Sequence, residues 1–213
     1  MTGPESSPLL GEGAEAQVIE TRYLGIPALR KHRIVKAYRP PALDQRLRTE
    51  RLRMEVRLLR EARGLGIRTP FVLDIDLEEG SFVMERVPGR SVTEILEADA
   101  ADGPENRDLL RRWGEAVGRL HRGNISHGDL TGSNVLWTGQ EIVLLDLSMG
   151  SHTPELEEFG IDLHLVEEDL NTLSPDAGTL YVAFLEGYAT GNPLGAAAIR
   201  ERALEIKGRV RYS

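Results

Sequence analysis

The stretch from His127 to Asn134 constrains this chain more than any other, because it places a carboxylate and an amide in one short loop. It reads His-Gly-Asp-Leu-Thr-Gly-Ser-Asn, with Asp129 five positions before Asn134. Two short apolar segments follow, and the second one ends at Asp146. We predict that the loop turns tightly enough to bring Asp129 and Asn134 to one pocket. A hairpin over 135–146 would return Asp146 beside them.

The three polar side chains in this arrangement suit phosphoryl transfer. Asp129 would accept the proton of an attacking hydroxyl or orient a water, and Asn134 and Asp146 would hold the metal ions that neutralise the phosphates. The octet alone also fits a polar loop in which an aspartate and an asparagine cap the backbone. The second aspartate and the features upstream favour the catalytic interpretation.

Composition limits the class of protein without choosing a function. The 213 residues suffice for one large domain or two small lobes that share a cleft. There is no cysteine, which excludes disulfides and thiolate metal sites and fits a cytoplasmic location. The net charge of −8 argues against a surface coated for nucleic acid, although local basic patches remain possible. No apolar run approaches the roughly 20 residues of a membrane span, and residues 1–8 read as a loose tail without signal-peptide features.

The N-terminal part, predicted to form strands joined by tight turns, contains a glycine-rich stretch over 11–18. Covering phosphates needs backbone without obstructing side chains, which glycine provides and a small alanine nearly provides. A simple glycine-rich hairpin is the alternative. The residues that we expect to border a nucleotide are Gly11, Gly13, Ala14, Glu15 and Ala16.

The next strand offers two lysines that could bind the α- and β-phosphates of a nucleotide. Lys31 follows Ala-Leu-Arg, whereas Lys36 follows the more apolar Ile-Val, and the residues alone leave the choice open. Phosphate-binding lysines of this kind are held by a glutamate from the following helix.

Apolar residues at helical intervals predict that helix over 41–63. Glu55 borders its apolar face and is therefore the carboxylate that we expect to reach the strand lysine. Seven arginines also lie on the helix, a pattern more typical of a solvated face than of a binding site: Arg46, Arg48, Arg51, Arg53, Arg57, Arg60 and Arg63.

Two further apolar segments, 71–77 and 81–87, predict a hairpin that runs into a hinge at Pro88-Gly89. If the cleft binds ATP, the backbone at Glu85 and Val87 would hydrogen-bond adenine. An ordinary edge strand would contain the same residues.

Beyond the hinge the pattern becomes helical, with helices predicted over 91–98, 105–122, from 161 onward, 177–189 and 194–206. Thr153-Pro154 follows Asp146 so closely that no long regulatory loop fits between them. Asp162 could accept hydrogen bonds from the backbone of the 127–134 loop, or it could simply lie at the start of a surface helix.

These motifs together resemble the small atypical kinase subunit of the KEOPS complex, over about residues 9–211. The segments that carry the resemblance are Gly-Ala-Glu-Ala (13–16), Lys-His-Arg (31–33), Lys-Ala-Tyr-Arg-Pro-Pro-Ala-Leu-Asp (36–44), the octet, and the basic C-terminus around Gly208-Arg209. The resemblance matches the phosphate-binding lysine to Lys31 and its partner to Glu55.

The resemblance implies an α+β, two-lobed protein-kinase-like fold without an extended activation segment. The expected N-lobe, an antiparallel sheet with one long helix, covers about 9–87. A reduced, mainly helical C-lobe covers 88–206, and a basic tail covers 207–213, all within a single domain.

The resemblance also implies function and partners. It implies binding of ATP with Mg²⁺ or Mn²⁺, autophosphorylation on serine or threonine, and ATPase activity that supports threonylcarbamoyl-adenosine formation on tRNA. The expected partners are the threonylcarbamoyl transferase subunit, a small accessory subunit and tRNA, with no membrane. We expect Arg202, Lys207, Arg209 and Arg211 to contact the partner or tRNA phosphates.

The sequence departs from ordinary protein kinases at several positions. Asp146-Leu147-Ser148 lacks the glycine that usually follows the metal-binding aspartate, Gly128 replaces an arginine, and Thr131 replaces a lysine that helps to neutralise the transferring phosphate. Peptide phosphorylation should therefore be slow. Two alternatives remain. One is a nucleotide-binding scaffold with incidental catalysis; the other is a small-molecule kinase of the aminoglycoside or choline type, for whose substrate pocket the chain beyond Asp146 leaves little room.

Overall fold

The computed structural model describes residues 9–12, 15–98 and 103–210 and has an α+β architecture. Within those residues the chain forms two compact units. The first extends to Arg60 and also includes Pro70–Val87, whereas the second contains Glu61–Thr69 and continues from Pro88. The predicted fold class, an antiparallel sheet with one long helix followed by a mainly helical region, is confirmed.

The first unit is built on a five-stranded antiparallel sheet. Its strands are β1 (Leu9–Glu12), β2 (Ala16–Tyr23), β3 (Ile26–Arg33), β4 (Val72–Asp76) and β5 (Ser81–Glu85), in the spatial order β1-β2-β3-β5-β4. A two-residue turn joins β2 to β3, and both of its residues, Leu24 and Gly25, have positive φ angles, as tight hairpin turns require. Strand β3 pairs on both sides and is central, so Lys31 projects from a rigid position.

Helix α1 (Pro41–Gly64) follows β3 and buries one face along its length. Leu52, Glu55 and Leu58 are almost completely buried and recur at intervals of three residues. The helix ends where predicted, at Gly64. Gly66 then adopts a positive φ of 75°, and Ile67 donates a 3.1 Å hydrogen bond back to the carbonyl of Ala62.

The second unit combines a small sheet with five helices. Strands β6 (Arg90–Ser91), β7 (Val135–Trp137) and β8 (Ile142–Leu144) pair in that order. The helices are α2 (Val92–Ala98), α3 (Pro104–Arg122), α4 (Leu156–Leu173), α5 (Ala177–Gly191) and α6 (Ala196–Val210), and a 3₁₀ turn covers Gly132–Asn134. Among the described residues, no helix is long and apolar enough to cross a bilayer.

Two helix boundaries differ from the prediction by more than two residues. Helix α4 begins at Leu156, not near 161, because Glu155 and Glu158 form a capping box that satisfies the first backbone N–H groups. Helix α6 continues past 206 to Val210, so residues 207–210 of the expected tail are helical. Arg211 lies outside the described residues.

Helices α3 and α5 pack unusually closely because glycines face the contact from both sides. A Cβ atom at Gly118 would meet the carbonyl oxygen of Tyr188 and would lie 2.9 Å from the Cα of Gly191. Trp113 and Phe184 fill the neighbouring core with an edge-to-face contact of 5.3 Å between ring centroids. The residues of the close contact are Gly114, Gly118, Gly187 and Gly191.

We predict that Gly118→Ala destabilises the chain by about 1–3 kcal/mol, because the added methyl group meets backbone atoms that cannot rotate away. The matched control is Gly178→Ala in α5, where an added Cβ has no neighbour within 4 Å. That variant should gain up to about 1 kcal/mol from helix propensity. Urea denaturation measures both, and equal effects of the two substitutions would contradict the packing argument.

Candidate active site

In the first unit the structure brings Lys31 and Glu55 together. Lys31 lies on β3 and Glu55 on α1, and the Lys31 Nζ atom is 2.6 Å from Glu55 Oε1. Both side chains are nearly inaccessible to solvent, with exposed fractions of 5% and 1%. The rival lysine occupies a different place, since the backbone N–H of Lys36 donates to Asp44 Oδ1 over 3.3 Å in the connection before α1.

The Glu55 carboxylate also binds a second cation that the sequence did not reveal as a partner. The Nη2 atom of Arg33 donates to Glu55 Oε2 over 2.7 Å. Arg33 lies two residues after Lys31 on the same strand, and alternate residues of a strand share one face. That spacing is the signal that could have identified it.

The glycine-rich stretch is placed only in part. Gly11 lies in β1 and Ala16 begins β2, whereas Gly13 and Ala14 lie outside the described residues. The carboxylate of Glu15 pairs with Arg51 of α1. This hydrogen bond lowers the pKa of the Glu15 carboxyl below its usual value. The Glu15 side chain therefore connects the start of β2 to the helix.

Glu85 ends β5, and its polar groups are largely used within the sheet. Its backbone N–H donates to the carbonyl of Phe71 over 2.8 Å, and its carboxylate accepts from the N–H of Phe71 over 3.1 Å. Val87, the other residue expected to contact adenine, is the last residue of the first unit and is half-buried.

In the second unit the predicted loop brings Asp129 and Asn134 into direct contact. The Nδ2 atom of Asn134 donates to the carboxylate and to the carbonyl of Asp129, both over 2.9 Å. The amide oxygen of Asn134 is then the atom that could bind a cation. The Asp129 side chain is exposed.

His127 connects this loop to the segment that carries Asp146. Its Nε2 atom donates to the carbonyl of Leu145 over 2.9 Å, and the N–H of Leu145 donates to the carbonyl of Asn134 over 2.9 Å. Asp146 itself has a positive φ of 46°, a conformation that aspartate tolerates better than most residues. Its carboxylate accepts the N–H of Ser148 over 3.2 Å. The glycine missing after Asp146 is therefore not needed for this turn.

Asp162 anchors the loop from α4, and of the two interpretations left open by the sequence the structure supports the one in which it accepts backbone hydrogen bonds. Its carboxylate accepts the N–H groups of His127 and Gly128 over 2.7 and 2.8 Å, and it contacts His121 Nε2 at 3.1 Å. Burial alone would raise the pKa of Asp162, but the hydrogen bond and charge of His121, with further help from His127, lower it.

Two more contacts, which the sequence did not predict, fix the same loop. The Nδ1 atom of His121 lies 2.8 Å from the hydroxyl of Tyr188 on α5. His121 Nε2 faces the Asp162 carboxylate, which can only accept, so this nitrogen donates to Asp162 while Nδ1 faces the Tyr188 hydroxyl. Asp169 of α4 accepts the N–H of Gly132 over 2.7 Å.

The donor set suits a hard divalent cation that completes its coordination with phosphate and water. Asp146 offers a carboxylate and Asn134 an amide oxygen, and Mg²⁺ commonly takes one or two protein oxygens together with substrate phosphates. Among the described residues, no group of three or more His, Cys, Asp or Glu side chains could hold a metal alone. The residues therefore fit a metal that is bound together with a nucleotide.

Two comparisons define the class to which this fold belongs. A family model described as "Phosphotransferase enzyme family" matches residues 10–126. The fold is similar to that in the structure of the "Rio2 kinase-ADP/Mg2+-phosphoaspartate complex from Chaetomium thermophilum", with a TM-score of 0.65 over 98% of this chain and 71% of that one. Sequence identity is 11%, so this match concerns the fold, which is that of a protein kinase.

Proteins that are similar in sequence indicate a narrower class. A "Probable bifunctional tRNA threonylcarbamoyladenosine biosynthesis protein" of Methanothermobacter thermautotrophicus is 39% identical over 206 residues, which cover 96% of this chain and 36% of that protein. This chain thus spans about a third of the length of that relative. A "Probable serine/threonine-protein kinase BUD32 homolog" of Archaeoglobus fulgidus is 34% identical over 203 residues, covering 95% of this chain and 94% of that protein. The chain therefore belongs to the phosphotransferase enzyme family and, within it, to the BUD32-type kinases.

We predict that the chain loses stability between about pH 7 and pH 5 because of His127. Burial lowers the pKa of the His127 imidazole. In the folded chain this side chain therefore stays neutral at pH values where it already binds a proton in the unfolded chain, in which its pKa is about 6.5. This stabilising term is present above that pH and is lost as the pH falls, by at most about 1.4 kcal/mol per pH unit. Asp162, whose pKa is lowered, adds a further loss only under more acidic conditions.

Urea denaturation at pH 7.5, 6.5 and 5.5 measures this dependence. The variant His127→Gln can still donate to the Leu145 carbonyl but cannot take up the proton. It should be less stable at pH 7.5 and show a flatter pH dependence than the parent chain. Parallel pH profiles for the two proteins would rule out His127 as the source.

Proposed function

We propose that this chain binds ATP with Mg²⁺ or Mn²⁺ and transfers the γ-phosphate to water, to itself or to a fixed partner. The observation that supports this most directly is the hydrogen bond between Asn134 and Asp129 in a loop anchored on buried Asp162. It joins a potential base to a potential metal ligand, as phosphoryl-transfer sites require.

We assign the following roles to residues of this chain. Lys31 binds the phosphates and Glu55 holds the lysine in place. Backbone around Gly11, Gly13, Ala14 and Ala16 covers the nucleotide, and the backbone of Glu85 and Val87 binds adenine. Asp129 accepts the acceptor's proton or orients a water, and Asn134 and Asp146 hold the cation, which neutralises phosphate charge when bound.

We further propose that this activity supports threonylcarbamoyl-adenosine formation on tRNA in the cytoplasm. The support is the name of the Methanothermobacter relative, of which this chain matches about a third. The partners would be a threonylcarbamoyl transferase, present as a subunit or as part of the same polypeptide, and a small accessory subunit. The domain division expected from the sequence, with an N-lobe over about 9–87 and a C-lobe over 88–206, stays part of this proposal. Val87 is also the last residue of the first compact unit, but Glu61–Thr69 belongs to the second unit.

Contact between the basic C-terminal residues and tRNA receives less support. Arg202 and Arg209 pair with Glu157, and Lys207 pairs with Glu167 at 2.7 Å. Phosphates would have to displace these carboxylates. We therefore assign these three residues to the packing of α6 against α4, and tRNA contact by them stays a minor part of the proposal.

The two lysines provide a matched test of nucleotide binding. We expect Lys31→Met to weaken ATP binding at least about tenfold, because the variant loses a charged contact to the phosphates. It should still fold, since Arg33 continues to pair with Glu55. Lys36→Met should bind ATP within about twofold of the parent chain. Isothermal titration with ATP and Mg²⁺ measures both, and the reverse order would show that Lys36 is the phosphate ligand.

Asp129→Asn tests the chemical step. We expect ATP binding to persist while ADP release and autophosphorylation fall about 10²–10⁴-fold, the usual effect of losing a positioned base. Turnover is best measured with and without the transferase partner and tRNA. Undiminished ADP release would remove Asp129 from the catalytic role. If the inactive variant still supports full tRNA modification, the chain acts as a nucleotide-binding scaffold.

A further inference from the structure

The arginines of α1 differ in the contacts that they make within the described residues. Arg48 pairs with Asp44, and Arg51 pairs with Glu15. Further along the helix, the spacing i, i+4, i+7 places three exposed arginines on one face. These are Arg53, Arg57 and Arg60.

The three arginines form the rim of a groove between α1 and the edge strand β4, with a volume of about 290 Å³. The floor of the groove is aliphatic and consists of Leu52, Val56, Ile75 and Leu77. Leu52 is fully buried, whereas Ile75 remains 45% exposed. An aliphatic floor left open to solvent beneath a charged rim is the usual composition of a protein-binding site.

The groove is held open by hydrogen bonds at one end. The Nε2 atom of Gln45 donates to the carbonyls of Leu77 and Glu78 over 3.2 and 3.0 Å. These bonds fix the turn after β4 against the N-terminal half of α1. The space between helix and strand therefore exists before any partner arrives, which lowers the entropic cost of binding.

The charge of the rim determines what the groove can accept. In the part of the chain that the structure describes, Arg53 and Arg60 form no ion pair. The nearby Asp76 accepts the N–H of Glu79 in its own turn. A basic segment would be repelled, whereas carboxylates on either side of an apolar residue would meet both the rim and the floor.

Nucleic acid fits the groove less well than protein does. Phosphates could pair with the arginines, but they would leave the aliphatic floor uncovered. The residues that line the groove include no aromatic side chain on which a base could stack. Arginine next to an apolar pocket is, by contrast, a frequent centre of binding energy in protein interfaces.

We propose that this groove docks a segment of a partner protein in which one or two aliphatic side chains are flanked by aspartate or glutamate. None of its lining residues belongs to the set proposed for nucleotide binding. Docking therefore does not depend on the phosphotransferase activity, and either proposal can fail without the other.

The test uses a fluorescein-labelled peptide, Asp-Glu-Leu-Glu-Glu-Leu-Asp, and fluorescence anisotropy with the full chain. Two control peptides replace both leucines by serine or all acidic residues by lysine. We expect saturable binding of the first peptide only. Amide NMR shifts on binding should concentrate at Val56, Ile75 and Leu77.

Variants on the same helix then separate the groove from general charge attraction. The double variant Arg53→Glu, Arg60→Glu should weaken binding at least about tenfold, because it reverses both ends of the rim. Ile75→Ser should weaken binding through the floor. Arg46→Glu changes an exposed arginine outside the groove, paired with Glu50, and should alter the affinity less than about twofold. All four positions are exposed, so circular dichroism should show folded proteins.

Several results would overturn the proposal. One is that the double variant Arg53→Glu, Arg60→Glu binds the peptide as tightly as the parent chain does. A second is that the serine control peptide binds as tightly as the leucine peptide. Another is displacement of the peptide by a 20-nucleotide RNA whose own binding depends on the same arginines, which would assign the groove to nucleic acid. Sedimentation that shows a dimer lost in the rim variant would assign it to a second copy of the chain.

Discussion

The buried carboxylate of Asp162 is the interaction on which the geometry of the second unit depends. The loop before the Gly132–Asn134 turn has no helix or strand of its own, so hydrogen bonds to its backbone must fix its path. Asp162 supplies two of these bonds, to consecutive N–H groups, from a helix that is itself rigid. An ionised carboxylate in the core is stable only if its oxygens accept hydrogen bonds. His121 therefore contacts the Asp162 carboxylate through Nε2, and the other ring nitrogen of His121 contacts the hydroxyl of Tyr188. The hydrogen bonds that hold the loop in place are thus also the ones that stabilise the buried carboxylate.

The first unit uses a buried carboxylate for a different purpose. Glu55 receives two cations, Lys31 and Arg33, in place of neutral N–H groups. Two positive charges therefore approach the single Glu55 carboxylate, and this carboxylate alone cannot neutralise both of them. The lysine is therefore oriented but not neutralised, and a site with surplus positive charge attracts an anion such as a phosphate. A single Lys–Glu pair would orient the amine equally well and would offer less attraction.

Local patterns were sufficient to predict much of this arrangement. The period of apolar residues located α1 and α3 and placed Glu55 at the border of the apolar face, and the octet's spacing predicted that Asp129 and Asn134 lie together. Contacts between distant segments could not be obtained in this way. Arg33 on Glu55, His127 on Leu145 and Asp169 on Gly132 each join residues whose separation depends on tertiary packing. The early start of α4 depended on a capping box that uses glutamate at the N-cap position, where serine or threonine is usual.

The octet contains no positively charged side chain that could stabilise a phosphate during its transfer. Residues 127–134 include no lysine or arginine, and the one histidine, His127, is buried, with its pKa lowered by that burial. The hydroxyl of Thr131, at the position where ordinary kinases carry a lysine, lies 2.8 Å from the hydroxyl of Ser133 and adds no charge. Under the proposed function, the negative charge that develops on a transferring phosphate would be met by a metal ion and by cations outside the loop. A site with this dependence is suited to water or to an acceptor held in place by a partner, because a freely diffusing peptide would gain little stabilisation from the loop itself.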